Sequence, residues 1–177
     1  AGTMTNHRTG QDPTAMPSTP PTPDIAAIHL ATQQAGIAAA LQVAQAQLTQ
    51  HGQHPALLQP IGELLLLAGR EADALPWLEA ASKAHPRDID VWNQRALALS
   101  RLQRYDDAHA AYLQAVELAP GLAPLFINLG GNLNKAARYR EAESWLRKGL
   151  QLAPDSPELR TNLAISLIQQ GRIDEAQ

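Results

Sequence analysis

Four alanines, Ala74, Ala108, Ala142 and Ala176, stand 34 residues apart, and Pro86, Pro120 and Pro154 keep the same interval. Around them "YDDAHAAYLQAVELAP" (105–120) is rewritten as "YREAESWLRKGLQLAP" (139–154), with tyrosine, alanine and proline in the same places. Ala81 and Ala115 form a third series, continued by Gly149. A period between about 20 and 50 residues marks an array whose units bury their apolar faces against their neighbours. The chain is 45% hydrophobic but only 4% aromatic, so its apolar content is mostly alanine and leucine, which favour helix. The fold class that follows is all-α.

The period divides the chain into units 55–88, 89–122, 123–156 and a partial 157–177, each read as helix A, a short turn and helix B. A degenerate unit over 24–54 precedes them, with Ala40 and Ala44 at helix-B places and Asp24 as an N-cap. Gly36 is expected to split this stretch into two helices, as Gly69 and Gly171 close helices further on. Residues 1–23 hold "QDPTAMPSTPPTP" and almost no large apolar groups, which predicts a disordered, partly polyproline tail. Ala1, Gly2 and Thr3 ahead of Met4 read as a vector remnant.

The stretch "FINLGGNL" supplies Phe126, Leu129, Gly130 and Leu133, "LLQPIGEL" supplies Leu58, Ile61, Gly62 and Leu65, and Trp92 and Leu99 keep the register between them. Over about residues 55 to 177 this resembles the tetratricopeptide repeat. The resemblance implies an α-solenoid wound as a right-handed superhelix, with helix A lining an inner groove. Small Gly62, Gly130, Ala74, Ala108 and Ala142 would let helices A and B of a unit approach closely, while Leu78, Tyr112 and Leu146 fill the space toward the next unit. Proline after helix B fixes the turn, and Pro55, Pro124 and Pro157 suit first-turn places. Two residues depart from the pattern. Pro60 falls inside the first helix A and predicts a late start or a kink. Arg95 replaces a usual leucine, its stem expected on the core with its head reaching out.

Chemistry is not indicated. His51 and His54 are interrupted by Gly52 and Pro55, and His7, His29, His85 and His109 lack the paired spacing of a zinc helix, so no metal is expected. Asp106–Asp107 and Asp174–Glu175 belong to the first turn of helix B, where the helix dipole favours negative charge. Ser100, Ser144 and Ser166 have no nucleophile-elbow context. No catalytic residue and no cofactor is predicted for this segment. A formal charge of −3 without a basic cluster argues against nucleic acid, and the apolar runs, such as Leu64 to Ala68, are too short for a membrane span. Without cysteine a reducing compartment is allowed, and a soluble cytoplasmic protein of bacterial type is the expectation.

Function is therefore sought on the groove face of helix A. Gln94, Asn128 and Asn162 repeat at 34-residue intervals. A row of amides can hold the N–H and C=O groups of an extended peptide; alternatively it ties adjacent helices to one another. The row resembles the asparagine ladder of O-linked N-acetylglucosamine transferases, with Pro60 breaking it in the first unit. Further peptide-binding candidates are Asn93, Leu97, Ile127, Gly131, Thr161 and Ile165. Asn134 joins them, and Arg101 and Lys135 form either a small basic strip or a solvated edge. A carboxylate clamp for chaperone tails is disfavoured, because Gln59, Asn128, Glu158 and Asn162 take most of its places.

Three functions compete. The chain is a protein-interaction module holding a peptide or partner segment, or the substrate-positioning arm of a larger glycosyltransferase-type enzyme, or a self-association element. The last follows from the array stopping within a unit, which reads as a piece of a longer protein and leaves Leu163, Ile165, Leu167 and Ile168 open to a second copy.

Overall fold

The computed structural model describes residues 21–176. The expected tail falls outside that range except for its last three residues, of which Pro23 is buried. The helices are α1 (Ile25–Ala35), α2 (Ile37–His51), α3 (Pro55–Leu67), α4 (Glu71–Ala84), α5 (Ile89–Arg101), α6 (Tyr105–Leu118), α7 (Ala123–Lys135), α8 (Tyr139–Leu152) and α9 (Pro157–Gln169). A 3-10 turn, Ile173–Ala176, follows, and there is no strand among the described residues. Gly36, at φ 83°, separates α1 from α2.

The starts of α1, α3, α5 and α9 are capped by the side chains that precede them. Asp24 accepts the N–H of Ala27 at 2.9 Å, Asp88 those of Asp90 and Val91 at 3.0 and 3.2 Å, and Ser156 that of Leu159 at 3.3 Å. His54 performs the same task with Nδ1, 3.2 Å from the N–H of Ala56. Pro55 and Pro157 open their helices, and Pro124 follows Ala123 in the first turn of α7. The ends of α4, α6 and α8 are set by the proline two residues beyond. His85, Ala119 and Ala153 each leave the helical region ahead of Pro86, Pro120 and Pro154.

The turn inside each unit repeats as faithfully. Gly69, Gln103, Ala137 and Gly171 all adopt positive φ, between 58° and 78°. The next residue, Arg70, Arg104, Arg138 or Arg172, donates its backbone N–H to Leu65, Leu99, Leu133 or Leu167 at 2.8–2.9 Å, which closes a Schellman motif. The Nε of each arginine then meets Asp73, Asp107, Glu141 or Glu175 at 2.8–2.9 Å in the first turn of the following helix. Such exposed pairs add little each, but they seat a carboxylate where the dipole favours it.

Close packing rests on small residues. A methyl group added at Gly62 or Gly130 would overlap the side chain of Leu78 or Leu146. These leucines therefore also interlock within their own unit. Gly149 serves the junction between units, touching Phe126 of its own unit and Leu159 of the following one. Ala74, Ala108 and Ala142 are fully buried.

The two departures also resolve. The helix α3 starts at Pro55 and runs through Pro60, so there is no late start, and α4 likewise contains Pro76. Arg95 turns inward: Nη1 donates to buried Ser82 at 3.2 Å and the guanidinium lies 5.3 Å from the Trp92 ring. Delocalised charge and weak hydration suit guanidinium to such a stacked place.

Curvature follows from which helices meet. The helices α1, α3, α5, α7 and α9 contact one another in succession, whereas α2, α4, α6 and α8 touch only the odd-numbered helices. The odd set is the inner, concave layer. The last junction is held by Glu143 on α8, which accepts from Gln170 at 3.1 Å, Arg172 at 2.7 Å and Arg147 at 3.1 Å. Burial pushes the Glu143 carboxyl up, but these donors outweigh it and hold it below the usual range. Arg138 and Arg172 lower Glu141 and Glu175 in the same direction.

Two outcomes are expected. Ala137→Gly removes the strain of an alanine at φ 58°. After allowance for the freer unfolded chain, it should raise the thermal midpoint by roughly 1–4 °C, read by circular dichroism; a fall would show that the exposed methyl is needed. Because the folded carboxyls are depressed, their stabilisation is present above the unfolded value of about 4.3 and lost as pH falls through the folded values. Glu143→Ala should lower stability by about 1–2 kcal/mol at neutral pH and flatten this acid dependence, measured by urea unfolding at pH 7 and pH 3.5.

Candidate functional site

The groove candidates lie on the inner helices α5, α7 and α9, and the structure separates those that bind the fold together from those left free. Asn128 Nδ2 donates to Asn93 Oδ1 at 2.9 Å, linking α7 to α5. Asn134 Nδ2 donates to the Asn162 carbonyl at 2.9 Å, and its Oδ1 accepts from the buried Ser166 hydroxyl at 2.7 Å, linking α7 to α9. Of the row read from sequence, Asn128 alone joins neighbouring helices through its side chain, Asn162 taking part through its backbone carbonyl. Gln94 takes no part in the chain of bonds: its Oε1 is buried without a partner. Thr161 bonds its own helix through the Pro157 carbonyl at 2.8 Å.

Arg101 and Lys135 are equivalent by register but not by contact. Arg101 Nη1 reaches back to the Leu66 carbonyl and to Glu71, both at 3.2 Å, whereas Lys135 is exposed with no ion pair among the described residues. The apolar candidates divide as well. Leu97 and Ile127 pack partly against the core, and Ile165 is 42% exposed. Of the residues expected at an open C-terminal edge, Ile168 is 49% exposed, but Leu167 is buried and Leu163 half-buried. Leu167 turns inward because it occupies the leucine place that packs each helix A.

Gly131 differs from the glycines required by packing. A Cβ built there would meet nothing nearer than the Asn162 amide at 3.9 Å. In mid-helix, glycine costs about 0.5–1 kcal/mol relative to alanine, and no contact in the fold explains its presence. Since residues four apart share a helix face, Ile127 and Gly131 lie side by side, with Leu97 and Ile165 in Gly131's register on α5 and α9.

Three features escaped the sequence reading. Asn132 is buried and donates to the Tyr105 carbonyl at 2.9 Å, tying α7 to the first turn of α6; a polar residue at an otherwise small or apolar place was the signal. The 34-residue series Arg70, Arg104, Arg138, Arg172 was visible but unread. Glu63 occupies the register of Leu97, Gly131 and Ile165 on α3, where it brings charge to the inner face. The described residues hold no group of three or more His, Asp or Glu that could bind a metal, and no helix among them is long and apolar enough to cross a membrane.

Comparison with known proteins gives the array its class. Tetratricopeptide-repeat models match residues 89–122 and 133–177. No curated protein sequence matches. Among solved structures, the fold is similar to the crystal structure of MamA, with a TM-score of 0.77 at 15% identity over 84% of this chain and 87% of that one. It is also similar to MamA from residue 41 onward of Desulfovibrio magneticus RS-1, with a TM-score of 0.78 at 16% identity over 85% of each chain. A MamA AMB-1 structure gives 0.75 at 20% identity over 85% and 89%. At such identities the likeness concerns the fold. Paired helices, the 34-residue period and the matched models together make this chain an all-α solenoid similar to the tetratricopeptide repeats, whose models it matches over residues 89–122 and 133–177.

Proposed function

We propose that the concave face of α5, α7 and α9 binds an extended segment of a protein partner and performs no chemistry on it. The observation that carries this reading is Gly131, a helix-weakening residue at the middle of the inner layer where an added Cβ would meet only the Asn162 amide, at 3.9 Å. A missing side chain there lets a partner's backbone approach, or gives a bulky apolar side chain a seat between Leu97 and Ile165. Lys135, one turn further along α7 and free of ion pairs among the described residues, supplies a positive edge to the same surface.

The reading does not depend on an amide ladder, since the N–H group of Asn128 already serves Asn93. Nor does any contact favour a transferase arm over a free-standing adaptor. Repeat arrays present extended concave surfaces of this kind because each unit adds a similar helix at a constant rotation.

The test uses peptides selected from a displayed random library on the whole chain. Gly131→Ala should raise the thermal midpoint by roughly 1–3 °C, since it adds helix propensity without a clash. Gly131→Leu should fold and yet weaken the selected peptides by about tenfold or more. Unchanged affinity in Gly131→Leu, or peptides that compete for the outer helices instead, would remove the reading.

A further inference from the structure

The inner face has a second part, nearer the start of the array, with a different chemistry. Two adjoining pockets of about 330 and 180 Å³ lie between α1 and α3, the larger also bordered by His85 and Asp88 before α5, and His29, Pro60 and Glu63 line both, so they form one cleft. No lysine or arginine among the described residues lines it.

Glu63 is the informative group. Five carboxylates among the described residues are half-buried: Glu63, Glu71, Glu79, Asp88 and Glu143. Glu71, Glu79 and Glu143 pair with Arg101, Arg95 and Arg172, and Asp88 caps α5. Glu63 has no hydrogen bond and no ion pair among the described residues. With no partner of opposite charge, this carboxylate gives the fold no pairing energy.

Pro60 adds to the same wall. Lacking an N–H, it leaves the Ala56 carbonyl without its helical donor, and Ala56 lines the cleft beside Gln59. Acceptors therefore gather on this wall, and the lining adds a second carboxylate, Asp88, beside the imidazoles of His29 and His85. Apolar surface lies beside them: Ile25 and Pro60 line the cleft, and Leu67 at its far end is 55% exposed. A long aliphatic stem ending in a cation matches that combination, because the stem can lie on apolar surface while the head meets the carboxylate.

We infer that the α1/α3 cleft seats a basic side chain of the partner segment, with Glu63 as its counter-charge and the Ala56 carbonyl and Gln59 as further acceptors. This rests on the reading of the concave face as a partner-binding surface, and it adds a charge requirement to that partner. Glu63 shares its register with Gly131 two units on, so one extended segment running along the inner layer would meet the acidic cleft and the glycine seat in turn.

The experiment is a titration of the 15N-labelled chain with Nα-acetyl-lysine methylamide, its arginine counterpart and its uncharged norleucine counterpart. Millimolar lysine or arginine analogue should shift the backbone amides of His29, Gln59 and Glu63, while norleucine leaves them in place. Glu63→Gln should fold with an unchanged or higher thermal midpoint and weaken the cationic probes by about tenfold. Silence of these amides, equal response to norleucine, or full response in Glu63→Gln would overturn the inference, as would a divalent cation shifting them where neither cationic analogue does. If displayed peptides are blocked by Gly131→Leu but the cleft stays silent, this inference alone fails. If the cleft responds but no displayed peptide depends on Gly131, the fault lies in the groove reading.

Discussion

The array depends on how closely one helix of a unit can lie on the other. Gly62 under Leu78 and Gly130 under Leu146 leave no room for a methyl group, and in the unit between them Ala96 holds the glycine place while Tyr112 holds that of leucine. A large side chain of one helix thus fits a gap in its partner. Burial of each such leucine contributes about 1.5–3 kcal/mol, and it does so at dense interior packing where even one methylene is felt. The completed pair is a wedge that still has apolar surface on both sides, so units are stable in a row and not alone.

Between units the binding is of another kind. Small residues at the places of Ala81, Ala115 and Gly149 let the next inner helix come close, and polar side chains then fix the register. Asn132 to the Tyr105 carbonyl, Asn134 to the Asn162 carbonyl, Ser166 to Asn134 and Asn128 to Asn93 all cross from one unit to its neighbour. Neutral hydrogen bonds contribute only about 0.5–1.5 kcal/mol each, less than the leucines do. Their directionality is what matters, since apolar packing alone would tolerate sliding of one helix along the next. Inner helices that touch while outer ones do not give the row its concave side, and that side carries the surface residues the fold does not use.

Residues without a structural task are the basis for the functional reading. Gly131 weakens its helix and relieves no clash; Glu63 is half-buried and pairs with nothing among the described residues. Both face the inner layer and share one register. By contrast Asn128, which drew notice by periodicity, is occupied within the fold.

The sequence by itself determined the helix pairs, because a 34-residue recurrence of alanine and proline fixes spacing, close approach and termination through steric rules that act over a few residues. It also marked the inner helices and the break at Gly36. It did not disclose that Arg95 turns inward to Ser82, that Leu146 locks its own unit, or that α3 continues through Pro60. Those were settled by tertiary structure, since each depends on which atoms of a different helix lie within a few ångströms. The same holds for the site: periodicity could place Gln94, Asn128, Gly131 and Glu63 on one face, but only the packed neighbours decide whether a polar group is already bonded or a gap already filled.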